Sequence, residues 1–170
     1  MSDFPKALPV ILEEEGGWYD GSQPWDPNPT MHGITQARYD SYRGALGGPR
    51  QSVQLISDQE VQDIYLEDYW IPCHADALPW PASLLHFDFA VNAGPEEAIT
   101  VLQRALHVDD DGIWGPETAA AAPRAGLVPD AMLLERLFAY ELIVKKNPVK
   151  ATPLWQEWIP RVNDLYRRFT

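Results

Sequence analysis

The chain is 170 residues long, 45% hydrophobic, and carries one cysteine and a formal net charge of −12. That length suits one domain of ordinary size whose core stands without staples, and a single cysteine excludes an internal disulfide framework. The acidic balance excludes nucleic acid as a partner, since neutralising phosphates takes clustered Lys and Arg, and it opposes docking by charge alone on an anionic wall or membrane.

Taken in order, Ala7, Leu8, Val10, Ile11 and Leu12 are spaced as one buried helical face, and Gly16-Gly17 stop that helix because glycine takes a left-handed C-terminal cap without a Cβ clash. Residues 17–35 are rich in Gly, Pro, Asp and Asn and predict an ordered loop or a short irregular hairpin. Residues 36–43 predict a short helix capped by Thr35, followed by a loop over 44–49. Ser57-Asp58-Gln59-Glu60 is a capping-box sequence ahead of Val61, Ile64, Tyr65 and Tyr69 at helical spacing. Proline-rich residues 72–81 read as a connection between lobes.

Residues 82–93 predict a central helix with little polar face, because Leu84, Leu85, Phe87, Phe89, Ala90 and Val91 surround it. Pro95 opens another helix through Leu106, residues 109–115 form a tight turn, and Pro116 begins a short helix ending before Pro123. Asp130 is expected to cap a long helix carrying Leu133, Leu134, Leu137 and Phe138. A last helical segment from Thr152-Pro153 carries Trp155, Trp158, Ile159, Val162 and Tyr166, and is expected to break or kink at Pro160. The pattern is mainly α, with two lobes, residues 1–80 and 81–170, packed as one unit.

Glu15 is the leading candidate for chemistry. It ends its helix at the carbonyl pole, where the macrodipole disfavours another negative charge. Glu13 and Glu14 add like charge, and burial against Trp18 or Tyr19 would add desolvation. Each effect favours the protonated carboxyl, the form that can protonate a leaving oxygen in glycoside hydrolysis. A plain helix stop with a solvated charge is the competing reading.

The run Glu15-Gly16-Gly17-Trp18-Tyr19, then Asp26-Pro27, Thr30 and Gly33-Ile34-Thr35, resembles the opening of the glycoside hydrolase family 108 muramidases. Phe87-Asp88-Phe89-Ala90-Val91-Asn92-Ala93-Gly94 and Leu102-Gln103-Arg104-Ala105-Leu106 are similar to the family's later signature. Asp111-Gly112-Ile113-Trp114-Gly115-Pro116-Glu117-Thr118 resembles a turn of peptidoglycan-binding helical modules, and Trp158 and Arg161-Val162 resemble the family's closing motif. Asn28-Pro29 replace two glycines that usually follow Asp-Pro, and two extra residues precede Asp26, so the loop bearing a second catalytic group is rebuilt.

The resemblance implies a lysozyme-like catalytic part in 1–80 and a helical peptidoglycan-binding part in 81–170. It implies cleavage of the β-1,4 bond between N-acetylmuramic acid and N-acetylglucosamine, with Glu15 as general acid and Asp26 or Thr30 acting on the water or the developing cation. The alternative is an inactive peptidoglycan-binding or structural module. Asp26 also reads as an ordinary Asp-Pro turn starter.

Tyr65 and Tyr69 are candidates for a sugar groove, Asn92 for a cleft, and Trp114 for glycan contact at an exposed turn. Asp88, four residues before Asn92, reads instead as a structural group fixing neighbouring helices. Cys73 beside His74 lacks further ligands, and Asp109 to Gly112 lacks the spacing of a calcium loop, so no metal or cofactor is expected. No apolar run approaches the ~18 residues of a membrane helix, and Met1-Ser2-Asp3-Phe4-Pro5-Lys6 is no signal peptide. The expectation is a monomer made in the cytoplasm that acts on peptidoglycan glycan strands after another factor releases or exports it.

Overall fold

A computed structural model describes residues 2–22 and 27–169. The fold is mainly α, and the chain divides into two compact units, Leu8–Asp68 and the residues up to Ala7 together with those from Tyr69 onward. The first helix, α1 (Phe4–Glu15), begins in one and ends in the other.

In the Leu8–Asp68 unit, α1 stops at Gly16, whose φ of +70° is the left-handed end expected of a glycine cap. The segment beyond contains a small antiparallel sheet: β1 (Trp18–Tyr19), β2 (Thr30–Met31) and β3 (Ile34–Thr35), in that spatial order. Trp18 pairs with Met31 and Tyr19 with Thr30; Thr30 pairs with Thr35 and Met31 with Ile34. His32 and Gly33 join β2 to β3 with φ of 50° and 73°, and two consecutive left-handed residues suit the right-handed twist of the strands.

Thr35 caps α2 (Gln36–Ala45) by accepting from the Arg38 amide at 3.3 Å. A short 3₁₀ turn (Val53–Leu55) leads to α3 (Asp58–Tyr65), which opens on the expected reciprocal capping box of Ser57 and Glu60. Tyr39 and Tyr42 of α2 are buried, and their hydroxyls donate to Glu60 and Asp63 of α3, each at 2.9 Å. Aromatic bodies thus fill this core while their polar tips lock one helix to the next.

The other unit is built around α4 (Ala82–Ala93), buried from Ala82 through Ala90 and packed on α5 (Pro95–Leu106) and α7 (Pro129–Lys146). Phe4 meets Trp70 and Phe87 edge-on, with ring centroids 5.5 and 5.8 Å away. Between α5 and α7 lie α6 (Pro116–Ala121) and a 3₁₀ segment (Ala122–Leu127) that accommodates Pro123. Pro129, not Asp130, starts α7, because proline's fixed φ and missing N–H suit the first helical position; Asp130 falls within the first turn. A short turn, α8 (Ala151–Pro153), and a π-helical stretch (Leu154–Trp158) run into α9 (Ile159–Phe169). The expected disturbance at Pro160 therefore takes the form of a widened turn just before it, where proline offers no amide to the preceding turn.

Asp88 is fully buried between two buried arginines. Arg136 Nη1 lies 2.5 Å from one carboxylate oxygen, and Arg161 Nε donates to the other at 2.9 Å. Burial alone would raise the Asp88 pKa, but the two guanidinium charges and their hydrogen bonds hold it below the ordinary carboxylate range. The structural reading of Asp88 is the one this geometry supports.

His86 is also buried, and its Nε2–H donates to the Cys73 carbonyl at 2.8 Å. Burial drives its pKa down from 6.5 to about 4. The unfolded chain thus binds a proton near pH 6.5 that the folded chain refuses until about pH 4, so stability is lost as pH falls through that window. The loss should total about 3 kcal/mol. Thermal melts between pH 7 and pH 4 are expected to show this decline and to show a shallower one for His86→Gln; parallel declines would remove His86 as its source.

Candidate active site

Glu15 is half-buried at the last position of α1, with exposed Glu13 and Glu14 before it. The β2–β3 hairpin turn closes against it. A Cβ added to Gly33 would lie 2.8 Å from Glu15 Oε2 and 2.8 Å from the Tyr65 hydroxyl, so three elements converge on one point: the end of α1, the hairpin turn and the end of α3. Glycine suits this point, because an added Cβ would push Glu15 Oε2 or the Tyr65 hydroxyl aside and because φ is +73°.

Tyr65 is 1% exposed, and its hydroxyl donates to the His32 carbonyl at 2.8 Å. Its ring is core, so what it brings to the site is its oxygen. Having given its proton to His32, that oxygen can only accept from a further neighbour. His32 turns its side chain to the end of α1, where Nδ1–H donates to the Gly16 carbonyl at 3.1 Å. That bond satisfies a carbonyl left open at the helix end. His32 and Gly33 together bind the hairpin to both helices that frame Glu15.

Asp26, the expected partner of Glu15, lies outside the described residues. The described residues nearest to it in the chain are those up to Ser22 and from Pro27 onward. Asp20 accepts from the Ser22 amide at 2.9 Å, and its bonds to Ser22 hold its carboxyl below the ordinary range. Gly21 (φ +73°) lies so close to the opposite stretch that an added Cβ would meet the Pro27 carbonyl oxygen at 2.8 Å and the Pro29 nitrogen at 2.9 Å. Thr30, half-buried in β2, donates its hydroxyl to the Asn28 carbonyl at 3.0 Å, and the Pro29 carbonyl accepts from the Gln36 amide at 2.8 Å. Asn28-Pro29 thus feed directly into the strand.

The other candidates fall in the second unit. Tyr69 is half-buried in a π-helical turn (Leu66–Trp70). Asn92 is half-buried near the end of α4 and lines a cleft with Glu97, Arg104 and Trp158. Trp114 is half-buried and stacks on the His74 ring, centroids 4.7 Å apart at 14°.

The turn before α6 is held by Gln103. Its Nε2 shares two N–H groups among Asp111, the Ile113 carbonyl and Thr118, each at 3.0 Å, and its Oε1 accepts from the Gly112 amide at 2.9 Å. The Asp-Gly and Thr of the motif are therefore a clasp built around one buried glutamine. Burial pushes the Cys73 thiol up to about 12, and among the described residues no group of three or more His, Cys, Asp or Glu side chains could hold a metal ion. No helix there is long and apolar enough to cross a membrane.

A mainly helical, lysozyme-like fold with a carboxyl presented at a helix end beside a small hairpin is the plan of a glycoside hydrolase. The profile of Glycosyl hydrolase 108 matches residues 8–94, and the chain belongs to that family. Among solved structures, SagA from Brucella abortus is similar at 31% identity over 97% of this chain and 92% of that one, with a TM-score of 0.74. No curated protein matches. Family and structural likeness together support a peptidoglycan hydrolase.

Proposed function

We propose that this chain is an N-acetylmuramidase that cleaves the β-1,4 bond between N-acetylmuramic acid and N-acetylglucosamine, with Glu15 as general acid. The observation that carries this reading is the convergence of Glu15 Oε2 and the Tyr65 hydroxyl on the bare Cα of Gly33. The close packing of the hairpin turn on the Glu15 carboxyl supports the reading because it holds that group in one place at the helix end. As the glycosidic bond breaks, Glu15 gives its proton to the leaving oxygen, and positive charge develops on the sugar left behind.

Asp26 then stabilises that charge or activates the water, with Thr30 secondary, because an oxocarbenium-like centre gains more from a carboxylate than from a neutral hydroxyl. Asp26→Asn is expected to lower turnover more than Thr30→Ala, with little change in melting for either. Equal turnover in the two variants would move the role away from Asp26.

The catalytic part falls within residues 1–80, with Tyr65 and Tyr69, and wall recognition within 81–170, with Asn92 and Trp114; these four are the residues proposed to meet peptidoglycan. The enzyme works as a monomer, made in the cytoplasm and brought to the wall by another factor. The deciding experiment is a digest of purified peptidoglycan with mass analysis of the new ends. Reducing muramic acid ends support the assignment; reducing glucosamine ends overturn it.

A further inference from the structure

The unit from Tyr69 onward contains a cleft of about 440 Å³ formed by the end of α4, one side of α5, the last turns of α7 and Trp158. Its chemistry is mixed. Arg104, Lys146 and Lys150 supply positive charge, Glu97 and Asn92 supply acceptors, and Ala139, Leu142 and Trp158 supply an apolar wall. In a chain with 13 basic and 25 acidic residues, three cations lining one cleft with a single carboxylate is a local reversal of sign. Arg104 is partly committed to Asp110, at 2.6 Å, but among the described residues Lys146 and Lys150 have no ion-pair partner.

The wall is braced from beneath. Trp158 stacks on buried Tyr140, centroids 4.6 Å apart, and the Tyr140 hydroxyl accepts from Arg136 Nε at 2.8 Å. Arg136 is one of the two arginines held by Asp88, and that buried trio carries one net positive charge. Within a low-dielectric core such a charge is felt further than it would be in water. Both the lining and the support therefore favour an anion.

We propose that this cleft is a second binding site that takes a short acidic peptide, its carboxylates on Lys146 and Lys150 and its apolar side chains against Trp158. Amide N–H groups of a peptide can donate to Glu97 and Asn92, whereas the ionised phosphates of a phosphate polymer donate no hydrogen bond and are repelled by Glu97. In the polymer that this enzyme is proposed to cut, the ligand is the peptide borne by muramic acid; that choice of source rests on the peptidoglycan reading above. A hold on the peptide would keep the glycan strand engaged between cuts.

The test uses the full chain and the free tetrapeptide L-Ala-γ-D-Glu-meso-diaminopimelyl-D-Ala, titrated at low salt and followed by NMR at the tryptophan indoles. Saturable binding is expected, weakened about tenfold in Lys146→Gln/Lys150→Gln, as two exposed charge contacts would give. It should also weaken with added salt and when the peptide's carboxylates are amidated. Both lysines are exposed, so the double variant should melt as the parent does. Absence of saturable binding, equal affinity in the double variant, or tighter binding of poly(glycerol phosphate) would overturn the proposal. The peptide has no glycosidic bond, so its binding is independent of Glu15: Glu15→Gln should bind it fully, and failure here leaves the hydrolytic assignment standing.

Discussion

Glu15→Gln should abolish peptidoglycan hydrolysis while leaving the melting temperature close to the parent value. Glutamine keeps the shape and hydrogen-bonding reach of the glutamate but has no acidic proton, and loss of a positioned general acid costs about 10²–10⁴-fold. Glu13→Gln and Glu14→Gln sit on the same final turn of α1 but are exposed, and both should remain active. The measurement is reducing-end release from purified peptidoglycan for the three variants side by side. Parent-level release by Glu15→Gln would mean the acid is another residue.

Gly33→Ala should be nearly as damaging without touching a group that carries a proton. The new methyl would sit 2.8 Å from both Glu15 Oε2 and the Tyr65 hydroxyl, so one or both must move. The backbone also has to hold an alanine at φ +73°, at a cost of about 1–2 kcal/mol. Misplacing a catalytic group by about an ångström can cost ~10²-fold in rate. We expect a drop of that order in turnover, with a melting temperature lowered by only a few degrees. Undiminished turnover in Gly33→Ala would show that the hairpin does not govern the position of the acid.

The sequence was most legible where local chemistry alone sets a boundary. Ser57 with Glu60, Thr35 before α2, Pro95 after Gly94 and Gly16 after α1 each satisfy or release backbone groups within a few residues, and each marks its element's end in the structure. The apolar surround of α4 also sufficed to predict a buried central helix. The π-helical turns at Leu66–Trp70 and Leu154–Trp158 have no comparable local signal, since they arise where a helix adjusts its register to packing.

The site divides along the same line. Glu15 stood out by its place before two glycines. That Gly33 and Tyr65 meet it depends on a hairpin and a helix from distant parts of the chain, and no spacing encodes that. One signal was available: His32-Gly33 between Met31 and Ile34 has the look of a two-residue hairpin turn, which places the glycine at a tip. The place of Tyr65 was hidden for a related reason. Its helical spacing reveals a core face, but only the folded chain shows where the hydroxyl at its tip ends up.

The course of α1 limits how parts of this chain could be exchanged with those of a relative. Its first turn gives Phe4 to the aromatic cluster with Trp70 and Phe87, while its last residue is Glu15. A graft beginning at Tyr69 would arrive without Phe4 and open a hole of aromatic size, a change worth roughly 3–5 kcal/mol in a core. Carrying Phe4 along brings the helix, and the helix brings the glutamate. Chimaeras should therefore be cut both within the hairpin segment and after Asp68, so that α1 and the residues from Tyr69 onward come from the same parent.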